Sequence, residues 1–185
     1  MEVSQNQYIL YLENLTEAFT NQYYKGLKRL EATDEPQSYW LLACRSGTDK
    51  KKTLWKKLLL QNARSIQPTL LELDSPPLLY LGVDEVIFIL DSPTGELLVR
   101  YDLGTPFLWF HSSEDQIFAV CELEIYAFTL HGGLKWTTNF PDVLKNVVKK
   151  NGHLEVTDLS NRIYRVDVLT GKTLMRASQA VSSSP

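Results

Sequence analysis

Short apolar runs separated by polar turns make up most of the chain, and three of them recur at a fixed interval. Gly95, Gly133 and Gly171 lie 38 residues apart, and each follows a run rich in aromatic and β-branched residues. A second apolar strand follows each glycine. Such a unit predicts a β-hairpin, because glycine supplies the positive φ that the turn needs. Further strand-like runs precede each hairpin, so the pattern predicts four short strands per 38 residues.

The register of this repeat runs through the hairpins without gaps. The aligned positions include Ile87, Ile125 and Ile163 before the turn and Leu98, Trp136 and Leu174 after it. Asp91 and Asp167 also coincide. A carboxylate at that place can accept hydrogen bonds from backbone N–H groups of the turn. We therefore predict that both aspartates cap their turns.

Two other patterns precede the repeat. Residues 39–60 predict a degenerate hairpin that turns at residues 46–49. In residues 4–30, Ser4 and Gln7 have capping-box spacing. The apolar residues behind them recur at near-helical intervals and predict one or two amphipathic helices; they are Ile9, Leu12, Leu15 and Phe19.

The hairpins carry a family resemblance. The segments DSPTGELLVRYD, TLHGGLKWTTNF and DVLTGKTLMRAS resemble repeats of the PQQ-like and WD40-like β-propeller superfamily, over about residues 68–177. The resemblance implies a mainly β fold, a partial propeller-like array of about three blades. The periodicity of residues 4–30 adds an N-terminal helical element to this expectation. The expected divisions are a helical element at 1–36, a propeller-like domain at 37–177 and a flexible tail at 178–185.

The small number of blades has two consequences. The chain is shorter than the closed ring that holds the quinone of PQQ-like proteins, so we expect no cofactor. Three blades are also too few to close a ring, and an open array leaves strand edges uncovered. We expect the N-terminal segment, a second copy of the chain in a homodimer, or another protein to cover them.

Composition narrows the class of protein. The chain has 185 residues, 44% of them hydrophobic, and a net charge of −3. It has two cysteines, no secretory signal pattern and no apolar run long enough to span a membrane. We expect a soluble cytoplasmic protein that neither enters a membrane nor binds nucleic acid.

Charge is spread unevenly along the chain. Residues 20–67 hold ten basic and four acidic side chains, whereas residues 68–126 hold one basic and eleven acidic ones. The acidic stretch predicts a docking face for a protein partner with a basic surface, with nearby aromatic residues as contact points. The predicted partner-binding residues are Asp84, Glu85, Trp109, Phe110, Glu114, Asp115, Glu122 and Glu124.

No residue pattern predicts catalysis or metal binding. The histidines, His111, His131 and His153, lack zinc-motif spacing, and Cys44 and Cys121 lie in apolar strands as small buried residues. Lys50–Lys52, Lys56 and Lys57 are interpreted as a charged hairpin turn.

Several functions remain open. The favoured hypothesis is a non-catalytic protein-interaction module, such as a scaffold, assembly or adaptor subunit. The main alternatives are an acidic inhibitor or immunity-type protein that neutralises a basic toxin or nuclease, and an enzyme whose site is built from loops. A nucleic-acid binder that uses the lysine hairpin is a minor alternative, whose binding would weaken steeply with salt.

Overall fold

A computed structural model describes residues 8–15, 26–46, 52–62 and 67–177. These residues form sixteen strands and no helix, so none of them forms a helix long and apolar enough to cross a membrane. The chain divides into two compact units, Met1–Leu103 and Gly104–Pro185. Each unit contains two four-stranded sheets.

Three sheets are antiparallel meanders that follow the repeat. Sheet 2 in unit 1 contains β5 (Thr69–Asp74), β6 (Pro77–Val83), β7 (Val86–Asp91) and β8 (Leu97–Asp102). Sheet 3 in unit 2 contains β9 (Phe107–Ser112), β10 (Gln116–Cys121), β11 (Glu124–Thr129) and β12 (Leu134–Asn139). Sheet 4 contains β13 (Leu144–Lys150), β14 (His153–Asp158), β15 (Ile163–Asp167) and β16 (Thr173–Ala177). Four strands per repeat are confirmed.

Sheet 1 in unit 1 is built differently. Its strands are β1 (Tyr8–Leu15), β2 (Arg29–Glu31), β3 (Ser38–Ser46) and β4 (Thr53–Gln61), in the order β1-β3-β4-β2. The hairpin predicted at 39–60 is β3 and β4, although most of its turn lies outside the described residues. The final pair, β2 with β4, is parallel.

The predicted N-terminal helix is wrong for the described residues, because Tyr8–Leu15 is a strand. Its sequence YILYLENL is apolar at both helical and alternating positions, so the near-helical spacing did not discriminate. Leu10 and Leu12 pack on the core that sheets 1 and 2 share, whereas Leu15 packs on the opposite face of sheet 1. Residues 16–25 of the predicted helix and the predicted tail at 178–185 lie outside the described part.

The turns of the repeat form as predicted around their aspartates. The Asp91 carboxylate accepts hydrogen bonds from the Thr94 backbone N–H, at 2.9 Å, and from its hydroxyl. Asp167 accepts the same two bonds from Thr170. Gly95 and Gly171 follow with φ of 68° and 70°. Both turns therefore close on their own side chains before any other part of the chain is involved.

The middle turn is one residue shorter. Thr129 N–H donates to the carbonyl of Gly133, and the positive φ falls on Gly132 instead of Gly133. The strand after the turn is consequently shifted, so that Trp136 pairs with Ala127 where Val99 pairs with Ile89. The prediction that Leu98, Trp136 and Leu174 are equivalent is off by one position.

The bulges define the true equivalence. Each sheet contains a strand pair in which the register shifts by a residue directly after a particular residue pair. These residue pairs are Cys44 with Trp55, Ile89 with Val99, Ala127 with Trp136, and Arg165 with Met175. Sheet 1 therefore joins the repeat at its third and fourth strands, β3 and β4. Its β1 then corresponds to the second strand of a blade. Among the described residues, no strand takes the first place, and β2 adds to the outer edge.

Each unit has a core between its two sheets. In unit 2, the third and fourth sheets bury one cluster that includes Phe118, Trp136, Phe140 and Tyr164. In unit 1, Leu42 and Leu59 of sheet 1 pack with Leu79 and Phe88 of sheet 2. Both cores consist of residues on alternate strand positions, as expected for sheets packed face to face.

Candidate interaction surface

The structure places the predicted acidic residues of unit 2 at two opposite ends of sheet 3. Glu114 and Asp115 lie in the turn that precedes β10, whereas Glu122 follows β10 and Glu124 begins β11. The six residues of β10 separate these groups by about 20 Å, at roughly 3.3 Å per residue. They do not form one cluster.

Asp115 is held by its own unit. Its carboxylate accepts from the Ser113 hydroxyl at 3.1 Å and lies 3.6 Å from the Lys149 ammonium. Burial acts to raise the pKa of Asp115, but hydrogen bonds from neighbouring side chains and the charge of Lys149 together lower it. Glu114 beside it is exposed.

Glu124 supports the start of sheet 3. Its carboxylate accepts from the Tyr126 hydroxyl at 2.9 Å and from the Gly104 backbone N–H at 3.1 Å. A Cβ at Gly104 would lie 2.7 Å from the Glu124 carboxylate, so a side chain there would displace this carboxylate. Burial, with a further contribution from Glu124, raises the pKa of Tyr126 to about 12.

The two predicted aromatic contact residues are half-buried. Trp109 packs against the core of unit 2, and Phe110 lies with its ring 4.6 Å from that of Phe107. Both residues are on β9, where alternate side chains point to opposite faces. Their apolar surface therefore contributes to packing within unit 2.

Asp84 and Glu85 belong to unit 1, in the turn between β6 and β7. Asp84 has a positive φ of 48°, and its carboxylate accepts from the Asn62 backbone N–H at 2.8 Å. The Glu85 carbonyl accepts from the Leu103 N–H, while its side chain is exposed. Asp84 thus has a structural role, and Glu85 presents its carboxylate to solvent.

An exposed leucine that sequence analysis missed lies near Glu122. Leu144 N–H donates to the Glu122 carbonyl at 2.7 Å, and Leu159 N–H donates to the Val143 carbonyl at 2.8 Å. These bonds bring the turn after β10 and the turn after β14 to the same end of unit 2. The Leu159 side chain is 58% exposed there.

A network of charged groups lies beneath Leu159. The buried Asp158 carboxylate accepts from the Arg162 guanidinium at 2.6 Å, the Arg162 N–H at 2.8 Å and the Tyr164 hydroxyl at 3.0 Å. Burial acts to raise the pKa of Asp158, but these hydrogen bonds lower it overall. Arg162 also donates to Asp142 at 3.1 Å. The turn that carries Leu159 is therefore tied to β15 and Asp142 by these hydrogen bonds.

Cysteines and histidines do not assemble a reactive centre in the part of the chain that the structure describes. Cys44 and Cys121 are buried as predicted. Burial raises the pKa of Cys44 to about 11 and that of Cys121 further still. The described residues contain no group of three His, Cys, Asp or Glu side chains able to hold a metal ion.

Solved structures resemble this chain at low sequence identity. BamB from Moraxella catarrhalis matches with a TM-score of 0.55 at 12% identity, over 80% of this chain and 50% of BamB. The dihydro-heme d1 dehydrogenase NirN matches with a TM-score of 0.55 at 8% identity, over 77% of this chain and 34% of NirN. The computationally designed protein Ika4 matches with a TM-score of 0.50 at 13% identity, over 62% of this chain and 76% of Ika4.

These matches define the class of fold. BamB and NirN are β-propeller proteins, so the resemblance of the repeats to propeller blades is confirmed. The chain spans half the length of BamB and about a third of NirN. No protein-family model matches it, and no curated protein does. Since NirN is an enzyme by name, the fold alone does not decide whether this chain is one.

Proposed function

We propose that the chain is a non-catalytic protein-interaction module, a scaffold, assembly or adaptor subunit that binds a partner with a basic surface. Its contact surface in unit 2 would be the acidic turn end, defined as Glu122, Glu124, Asp142 and Leu159. The observation that supports this choice is the exposed Leu159 side chain beside the Glu122 turn.

The chemistry of this end suits a protein partner. An apolar side chain gains binding energy when a partner covers it, and carboxylates around it steer a basic surface and exclude acidic ones. Glu124 and Asp142 are fixed by bonds to Tyr126 and Arg162, so they would lose little conformational freedom on binding.

Two double variants test this surface. The first, Glu122→Lys with Leu159→Lys, changes the acidic turn end. The second, Glu114→Lys with Leu169→Lys, makes the same changes at the opposite end of unit 2, where Leu169 is 67% exposed. The partner is isolated with the unmodified chain, and its affinity for all three proteins is measured by calorimetry.

We expect the first variant to bind at least about tenfold more weakly, because a lost contact of 1.4 kcal/mol has this effect. The second variant should bind like the unmodified chain, and binding should weaken with salt. Equal binding by both variants, or loss in the second alone, would contradict the assignment. A single basic toxin or nuclease as partner would favour the inhibitor hypothesis. A solution mass of the purified chain near twice 21.2 kDa would indicate a homodimer.

A further inference from the structure

Unit 1 buries a lysine between its two sheets. Trp55, Lys57 and Leu59 occupy alternate positions of β4 and so share the face that packs on sheet 2. Lys57 is only 6% exposed. Sequence analysis placed it in a charged turn, and this prediction is wrong because β4 begins four residues earlier, at Thr53.

The Lys57 side chain lines an open cleft of unit 1. The cleft has a volume of about 590 Å³, and its walls include Lys28, Trp55, Lys56 and Glu96. An adjoining hollow of about 460 Å³ shares Lys28, Lys57 and Glu96 and adds Arg29. Lys28, Lys57 and the Glu96 carboxylate face this space. Lys56 and Arg29 occupy alternate positions of their strands, so their side chains point to the other face of sheet 1.

Lys57 lacks a partner for its charge. Among the described residues it makes no ion pair and no hydrogen bond, whereas Arg100 and Arg162 are paired with carboxylates. Burial and then the nearby charge of Lys28 lower the pKa of Lys57, and the attraction of Glu96 only partly opposes them. A partly desolvated ammonium without an ion-pair partner is less favourable than one in bulk water, and an anion in the cleft would offset this cost.

We propose that the cleft at Lys28 and Lys57 binds a phosphate group. A phosphate monoester carries about two negative charges at neutral pH and offers three acceptor oxygens, which matches several cationic donors better than a single carboxylate does. The Trp55 indole N–H already donates to the Ser92 carbonyl at 2.8 Å, so the charged side chains provide the recognition. The Trp55 ring forms an apolar wall for the organic part of an ester.

This site does not depend on the proposed function. It lies in unit 1, whereas the acidic turn end lies in unit 2. Its ligand has the opposite charge to the partner proposed there. Failure of either assignment would leave the other unaffected.

Inorganic phosphate is the first probe. The full chain is titrated with phosphate at constant ionic strength, and the ¹³Cε signals of the lysines are followed by NMR. We expect saturable shifts at Lys57 and Lys28 and a higher pKa for Lys57 in the complex. Lys57→Met keeps the apolar stem, removes the charge and should weaken binding at least about tenfold, as expected for loss of a hydrogen bond to a charged group.

Matched variants distinguish the site from general attraction. Lys172→Met removes an exposed lysine in unit 2 and should leave phosphate binding unchanged, while Glu96→Gln should tighten it. Equal binding by the Lys57 and Lys172 variants would overturn the proposal, as would the absence of any shift at Lys57. Phenyl phosphate and a phosphoserine peptide then indicate the source, because the tighter binder shows whether a small ester or a phosphorylated protein fits the Trp55 wall.

Discussion

In each unit a tryptophan packs one sheet against the other, but the units differ in the charged residue that they bury. In unit 1 the Trp55 ring lies over Gly95 and its indole donates to the Ser92 carbonyl. In unit 2 the Trp136 ring lies over Gly171 and donates to the Val168 carbonyl at 3.0 Å. Each tryptophan thus joins its sheet to the third turn of the next one.

The buried charges differ. Unit 2 buries Asp158, whose carboxylate has three donors, whereas in unit 1 the Lys57 ammonium faces an open cleft without an ion-pair partner. Trp136 is 8% exposed in a closed core, while Trp55 borders an open cleft. A buried charge that its own unit satisfies serves the fold, and a charge that faces an open cleft is available to a ligand.

The largest expected effect comes from removing the tryptophans. Trp136→Ala should lower the free energy of unfolding by about 3–5 kcal/mol, since it leaves a cavity in a closed core. Trp55→Ala should cost less, because its site already opens to solvent. Urea unfolding of both variants measures the difference. An equal loss in the free energy of unfolding would mean that the two tryptophans contribute equally to stability.

Asp158→Asn tests the satisfied charge. Losing the charge from its hydrogen bonds should cost about 1.5–3 kcal/mol at neutral pH. Since folding lowers the pKa of Asp158, its contribution is present above the ordinary pKa of an aspartate and is lost as pH falls through the folded value. The free energy of unfolding should therefore fall less steeply with decreasing pH in the variant than in the unmodified chain. An unchanged pH dependence would exclude Asp158 as the group responsible.

Glycine substitutions isolate the contact beneath the tryptophan. Gly171 and Gly152 have similar φ, 70° and 74°, but a Cβ would lie 2.6 Å from the Trp136 ring at Gly171 and meet nothing within 4 Å at Gly152. Gly171→Ala should cost about 1–3 kcal/mol more than Gly152→Ala, the usual penalty of overpacking. Thermal unfolding compares them, and equal losses would leave only backbone strain as the cause.

The smallest effect should have the opposite sign. Without phosphate, Lys57→Met should leave unit 1 as stable as before or more so, because it removes a partly desolvated charge that Lys28 repels and keeps its apolar stem. The gain should fade as pH rises through the lowered pKa of Lys57, where the lysine itself becomes neutral. A clear loss of stability would indicate that Glu96 satisfies the ammonium.

Much of the fold could be predicted because each hairpin is specified by residues close together in the sequence. Asp91 and Thr94 carry the turn in their own side chains, and the period follows from the glycines. The one-residue shift at Gly132 could not be predicted, since Gly132 and Gly133 both permit positive φ. The strand at Tyr8–Leu15 was missed because it is nearly all apolar.

The sites were less accessible to sequence analysis. Asp84, Asp115 and Glu124 carry the same charge as Glu122. Only the structure shows that their carboxylates accept hydrogen bonds from groups of their own unit. Lys57 follows Lys56, and alternation along β4 sends one to solvent and the other into the sheet packing. A count of charges along the chain cannot separate such neighbours.

The strand order of sheet 1 also has a kinetic consequence. Sheets 2, 3 and 4 pair strands that follow one another, so each can form within its own short segment. Sheet 1 must bring β1 to β3 past β2, and must place β2 in parallel beside β4. Because distant and parallel pairings close large loops before they gain contacts, sheet 1 should be the last sheet to acquire protected amides during refolding.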